Sequence, residues 1–162
     1  MAQFVNTSRM VLLGAAWTGT APGLPGTQTP AGTITSSSDI SSFVRSGNPA
    51  TKVAMQDGTT FGTGGYMVQY PGIKSGDDLV FEFLSDYAAS QIDAIVRTTL
   101  GGLGSLVYVD LKPTNSARGA TNPSFVCAAY ISGYTPIGGS VGDMAAGQLT
   151  LSITGAFTYL TA

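Results

Sequence analysis

A chain of 162 residues that is 43% hydrophobic but only 10% charged fits one domain with a full core, yet an ordinary soluble domain carries about 25% charged residues. Its surface is therefore either covered by Ser, Thr, Asn, Gln and Gly or hidden against other chains, and little repulsion keeps copies apart. The 7 basic residues are scattered among 9 acidic ones, there is no histidine and there is one cysteine. These counts exclude a basic nucleic-acid grip, histidine-based acid–base or metal chemistry and an internal disulfide.

Residues 1–6 carry no signal-peptide pattern, so the chain is expected to fold in a cytoplasm. The apolar run 10–17 is too short to cross a bilayer and predicts a first strand. Residues 19–32 are built mostly from Thr, Pro, Gly and Ala and carry no charge. Such a stretch buries too little to order itself, and with the serines that follow it predicts a long Thr/Pro/Gly-rich loop or arm over about 19–38. Residues 40–45 read as a short strand broken by Asn48-Pro49, and residues 52–55 as another ending at Asp57-Gly58. Residues 59–65, with Gly62, Gly64 and Gly65 in close succession, read as a flexible stretch.

Tyr66-Met67-Val68-Gln69-Tyr70 alternates and ends at Pro71-Gly72, a turn signal in which Pro fixes φ and Gly permits a positive one. Residues 78–84 then form a half-buried strand, with Leu79, Phe81 and Phe83 on one face and Asp78 and Glu82 on the other. One helix is predicted over about 86–100. Ser85 is its candidate N-cap, Asp86 complements the positive end, and Ala88, Ile92, Ile95, Val96 and Thr99 share a face. Arg97 lies in the last turn and Gly101-Gly102 stop it. Three strands follow. The first is 106–111. The second is 125–131, with Phe125, Cys127, Ala129 and Ile131 on one face. The third is 148–154, where Leu149, Leu151 and Ile153 alternate with Thr150, Ser152 and Thr154 before a break at Gly155. The expected fold is mainly β. It is one domain over 1–162, an antiparallel β-sandwich or barrel with one flanking helix, and it has no internal repeat.

Chemistry is sparse. Cys127, inside a strand pattern, is expected to be a buried small hydrophobe. No Cys-His spacing suits zinc, and Gly62-Thr63-Gly64-Gly65 lacks the Lys-Ser/Thr of a phosphate loop. The adjacent carboxylates Asp77 and Asp78 sit at a turn-to-strand edge and read as a solvated turn. Glu82 reads as exposed or interfacial, and Trp17 as core or interface. No catalytic, cofactor or metal-binding residue is nominated, and a binding or structural role is expected rather than an enzyme.

Three segments resemble the major tail tube proteins of long-tailed bacteriophages, which are related in fold to type VI secretion tube subunits. The first is Ile40-Ser41-Ser42-Phe43 followed by Lys52-Val53-Ala54-Met55-Gln56-Asp57-Gly58. The second is Pro71-Gly72-Ile73-Lys74-Ser75-Gly76-Asp77-Asp78-Leu79-Val80-Phe81-Glu82-Phe83. The third is Tyr130-Ile131-Ser132-Gly133-Tyr134, then residues 139–143, then Leu149-Thr150-Leu151-Ser152-Ile153-Thr154-Gly155. Their order, with the helix between second and third, is similar to that family from about residue 40 onward. The segment 19–32 has no place in the pattern, and the extra C-terminal immunoglobulin-like domain of some members is not expected.

The resemblance implies hexameric rings whose strands join into one β-barrel around a channel, stacked into a tube through which DNA is ejected without specific binding. The implied partners are further copies of the chain and tape measure, tail terminator and baseplate or tip proteins. The implied place is the virion, after assembly in the host cytoplasm, with no cofactor and no membrane segment. An acidic lumen would repel DNA phosphates, and Asp57, Asp77, Asp78, Glu82 and Asp143 are its candidates. Gly62, Gly64 and Gly65, with Gly138, Gly139 and Gly142, mark loops expected to order on stacking. Two alternatives stand beside this reading. One is another virion β protein, a tail terminator or a head decoration. The other is a carbohydrate-binding β-sandwich using Trp17, Tyr66, Tyr70, Tyr130 and Tyr134 as stacking aromatics.

Overall fold

A computed structural model describes residues 10–22, 31–47, 51–59, 67–87, 91–139 and 144–161. In chain order the strands are β1 (Met10–Gly14), β2 (Ala16–Thr20), β3 (Ala31–Thr35), β4 (Ser38–Asp39), β5 (Val44–Gly47), β6 (Thr51–Asp57), β7 (Gln69–Gly76), β8 (Leu79–Leu84), β9 (Leu106–Lys112), β10 (Ser124–Gly138) and β11 (Ala146–Leu160). Seven of them form one antiparallel sheet in the order β4-β1-β9-β10-β11-β8-β5, while β2-β3 and β6-β7 are separate two-stranded ribbons.

Alternation decides which face of the sheet is buried. Leu79, Phe81 and Phe83 of β8, Leu149 and Leu151 of β11, Cys127, Ala129 and Ile131 of β10, Val107 and Val109 of β9, and Val11 and Leu13 of β1 all point into one core. Phe125 shares their side of β10 but lies beyond the core and is exposed, edge-on to Tyr159 with ring centroids 5.3 Å apart. Ile92, Ile95, Val96 and Leu100 close the core from the helical segment.

That segment is shorter than 86–100. It is one α-turn, α1 (Ile92–Ala94), continued by a π-helical turn over Ile95–Thr99, in which Leu100 N donates to Ile95 O at 2.9 Å. Its N-cap is Gln91, which makes no side-chain capping bond. The expected cap, Ser85, instead donates its hydroxyl to Pro136 O at 2.6 Å, so its polarity serves β10 rather than a helix end. Ala88 lies outside the described residues. The stop is where expected: Gly102, at φ 77°, donates to Val96 O at 3.0 Å, a left-handed closure that costs a residue with a Cβ more than glycine.

Of residues 40–45, expected as a strand, only Val44 and Arg45 are one, as the start of β5; residues 40–43 form a turn. Asp39 Oδ1 accepts from Ser41 N at 2.9 Å and also from the Ser41 hydroxyl, a side-chain turn that ends β4. The next residues coil, with Val44 N donating to Ile40 O at 3.2 Å. This turn joins the two edges of the sheet. Ile40 N donates to Val11 O at 3.0 Å on β1, and Leu84 N at the end of β8 donates to Phe43 O at 3.2 Å. The sheet therefore curls until its edge strands are neighbours in sequence. No ladder joins β4 to β5, so the result is an open, curled sheet sealed by a turn.

Pro71-Gly72 is likewise not a turn. Both residues lie inside β7, with Pro71 opposite Met55 next to a bulge between Val53 and Met55. Proline lacks the N–H a central strand needs but fits an edge or a bulge. Gly155 does not end the last strand either. It lies within β11 where the register jumps from Thr154↔Ala128 to Thr158↔Val126, a bulge of the kind that bends a ribbon. Within 19–38 the described residues form a hairpin rather than irregular chain. β2 and β3 pair from Ala16↔Thr35 to Thr20↔Ala31, and Trp17 rests on Tyr108 at 5.8 Å. Residues 23–30 lie outside the described ones.

Candidate functional site

Three surfaces concentrate the side chains of interest. The first is the sheet face opposite the core, where β5, β8, β11 and β10 lie side by side. Cross-strand register lines up Ser46, Glu82, Gln148 and Thr135 in one row, and Ser152 with Tyr130 in another. Ser46 Oγ donates to Glu82 Oε2 and Ser152 Oγ to Asp78 Oδ1, both at 2.9 Å. Glu82 and Asp78 are exposed. The result is a wet face of hydroxyls and amides with two carboxylates held upright by serines. Arg45 sits in the bulge of β5 between Val44 and Ser46.

The second surface is the β6-β7 ribbon, which carries the other described acidic candidates at its two ends. Asp57 is opposite Gln69, and hydrogen bonds from the Thr59 hydroxyl and backbone N–H hold its carboxyl below the usual range. Asp77 pairs with Lys52 Nζ at 2.8 Å. The four carboxylates thus divide between sheet face and ribbon, and even the adjacent Asp77 and Asp78 take separate partners. Asp143 lies outside the described residues. The ribbon also exposes Val53, Met55 and Tyr70, with Met67 just before it. Alternation over 66–70 was visible in the sequence, but nothing there told that Val53, Met55 and Tyr70 would stay exposed.

The third surface is the underside of the β2-β3 hairpin. Arg118 Nη2 lies 3.6 Å from Asp110 Oδ2, Arg118 Nε donates to Ser124 Oγ at 3.0 Å, and Nη1 donates to Gly32 O at 3.2 Å. Asp110, Ser124 and Asn122 are buried, and Asp110 Oδ1 is buried without a hydrogen-bond partner. Asn122 shapes the loop that delivers Arg118, donating to the carbonyls of Thr114, Ser116 and Ala117 and accepting from Thr114 N. One guanidinium thereby ties β9, β10 and the hairpin together. Sequence reading missed it, because two opposite charges eight residues apart across a loop leave no local signature.

Of the glycine candidates, Gly138 ends β10 opposite Ala146 and Gly139 follows it. Gly62, Gly64, Gly65 and Gly142 lie outside the described residues, as does Tyr66. The other aromatics do not converge. Trp17 lies on Tyr108, and Tyr134 stacks on Phe83 and donates to Asp93 Oδ1 at 2.7 Å. Tyr70 is on the ribbon and Tyr130 on the wet face. Burial, then the bond to Asp93, push the Tyr134 phenol upward, and burial pushes the Cys127 thiol to about 12. Among the described residues no three Cys, Asp or Glu side chains group as metal ligands would, and no helix is long and apolar enough to cross a membrane.

Comparison with solved structures places this architecture. Over 99% of this chain and 97% of the other, it superposes on a chain of the six-fold symmetrised baseplate of the anti-feeding prophage, with a TM-score of 0.62 at 14% identity. Over 99% of this chain and 80% of the other, it superposes on the SPP1 tail tube with a TM-score of 0.61 at 9% identity. The fold is that of tail tube and baseplate proteins. A chain of the native gene transfer agent virion matches over 77% of this chain and 89% of its own length, with a TM-score of 0.54 at 16% identity. No family model and no curated protein matches the sequence. The fold is thus shared at sequence identities of only 9–16%.

Proposed function

We propose that this chain is a structural subunit of a phage-type tail, a single domain that assembles into hexameric rings stacked as a tail tube for DNA ejection. The observation that carries the reading is the whole-chain match to both a tail tube and a baseplate protein. Physical chemistry supports it. A two-stranded hairpin on its own is marginal in water, yet β6-β7 is a ribbon of exposed residues that includes Val53, Met55 and Tyr70. Full burial of a Val or Met side chain is worth roughly 1.5–3 kcal/mol; Val53 and Met55, 41% and 53% exposed, have about half of that left to gain, and a neighbouring copy is the natural cover. The hydroxyl-rich face bearing Asp78 and Glu82 is suited to a lumen, since it presents negative charge to a polyanion in transit. On this reading the partners are other copies, a tape measure, a terminator and baseplate or tip proteins, and the place is the virion. Gly138 and Gly139, at the end of a hairpin, are suited to ordering on stacking.

Negative-stain imaging of the concentrated protein tests the proposal, with annular or tubular particles expected. A homogeneous small species at every concentration, alone and with tail components, would refute it.

A further inference from the structure

β1 opens the uncharged apolar run 10–17. A strand that is apolar, uncharged and free of proline is the kind that recruits other strands when its edge is bare. On one side β1 is laddered to β9 along five pairs, from Met10↔Lys112 to Gly14↔Tyr108. On the other it has only the two-residue β4, opposite Leu12 and Leu13. Val11 lies beyond that cover. In an antiparallel ladder the N–H and C=O of one residue face the same neighbour, and those of Val11 face the turn over residues 40–43. Its O accepts from Ile40 N at 3.0 Å, and its N donates to Ser41 Oγ at 2.7 Å. A side-chain hydroxyl thus stands where a neighbouring strand would present a carbonyl.

The hydroxyl is aimed for that task. It has one proton and two lone pairs. The proton goes to Asp39 Oδ1, which leaves the lone pairs for the Val11 N–H. The same carboxylate oxygen accepts from Ser41 N at 2.9 Å, which fixes the backbone carrying the hydroxyl. Asp39 is exposed, so a negative charge stands at the edge itself, and an incoming strand would have to desolvate it. We infer that Asp39 and Ser41 form an edge cap on β1, with Ser41 satisfying the Val11 N–H and Asp39 positioning Ser41, so that this edge is closed to strand addition by other chains. β1 keeps its apolar side chains in the core without offering its backbone as a template. A chain with only 10% charged residues has little general repulsion to do this instead.

The test compares the full-length wild type with Ser41→Ala and Ser41→Thr, which remove and keep the hydroxyl. Amide exchange, quenched and read residue by residue by mass spectrometry, follows Val11 against Leu149, which is laddered to both β10 and β8. In Ser41→Ala the Val11 amide is expected to exchange roughly 3–10-fold faster relative to Leu149, the net worth of one ordinary hydrogen bond. In Ser41→Thr the ratio should stay at the wild-type value. Concentrated Ser41→Ala should also gain thioflavin T fluorescence, the sign of strands added edge to edge, while wild type and Ser41→Thr should not. A Val11 amide unmoved relative to Leu149, or moved equally by both variants, would overturn the cap. So would faster exchange without thioflavin T signal, because the edge would then be open and still recruit nothing. None of these readouts needs a tube, so failure of the cap and failure of the tail-tube reading are separate results.

Discussion

Replacing Arg118 by Met should be among the most damaging single changes available outside the apolar core. The substitution keeps the aliphatic stem but removes the guanidinium, and three groups lose it together: Asp110, Ser124 Oγ and Gly32 O. The side chains of Arg118 and Asp110 are only 15% and 7% exposed, so water screens the pair little. Removing one partner of a buried pair costs about 3–5 kcal/mol because the other is left as a buried charge. Asp110 has no reserve, since its Oδ1 is already without a partner. Against a total of about 5–15 kcal/mol, and at about 2–4 °C of Tm per kcal/mol for a domain of this size, the midpoint should fall by roughly 6–20 °C. The companion is the double variant Arg118→Met with Asp110→Leu, which removes the stranded charge as well and should recover most of the loss. Chemical denaturation of wild type, both singles and the double gives the coupling energy. A cost below about 1 kcal/mol for Arg118→Met, or a double variant no better than the sum of the singles, would refute the reasoning.

Three other outcomes are expected. Gly32→Ala should unzip the β2-β3 hairpin, because a Cβ there would lie 1.7 Å from Thr18 O and the residue has φ +116°; Trp17, the chain's one tryptophan, should red-shift as it leaves Tyr108. Folded-state stability should be lost at alkaline pH. The Cys127 thiol is raised from 9.0 to about 12, so its contribution is complete below about pH 9 and is lost as pH rises toward 12. Tyr134, raised from 10.0, acts in the same direction, and Cys127→Ala should flatten part of that decline in a pH series of denaturation midpoints. Tubes carrying Asp78→Lys with Glu82→Lys should retain duplex DNA at low salt and release it as salt rises, whereas wild-type tubes should not; equal retention by both in a co-sedimentation assay would argue that this face does not line the channel.

What could be read from the chain, and what could not, divides along one physical line. Periodicity with a strong apolar partner survives folding: Leu79, Phe81 and Phe83 against Glu82, and Leu149 and Leu151 against Thr150, are where the alternation puts them. So is Cys127, fully buried among them. Local grammar failed where tertiary contacts claimed the same residues. Ser85 and Asp86 look like a helix start, but Pro136 takes the serine. Pro71-Gly72 looks like a reversal, but an exposed ribbon tolerates a proline where a central strand would not. Ile40 and Phe43 look like strand, but the Asp39 side chain curls the chain first. The wet face was half visible: Glu82 was assigned to the right side, but its alignment with Gln148 and Ser46 depends on register between distant strands, which no single segment carries. Arg118 and Asp110 were invisible for the same reason.

The turn over residues 40–43 has a mechanical consequence. Everywhere else neighbouring strands of the curled sheet meet along at least two registered pairs, and β10 and β11 along eleven. Across this one line the turn itself makes the join, tied to β1 by Ile40 N to Val11 O on one side and to β8 by Leu84 N to Phe43 O on the other. A curled sheet whose edges are joined only by a turn should not resist torsion evenly. In the proposed tube, bending or twisting should open this seam before it shears the ladders. The place where the sheet is most thinly joined is thus where it is expected to give first.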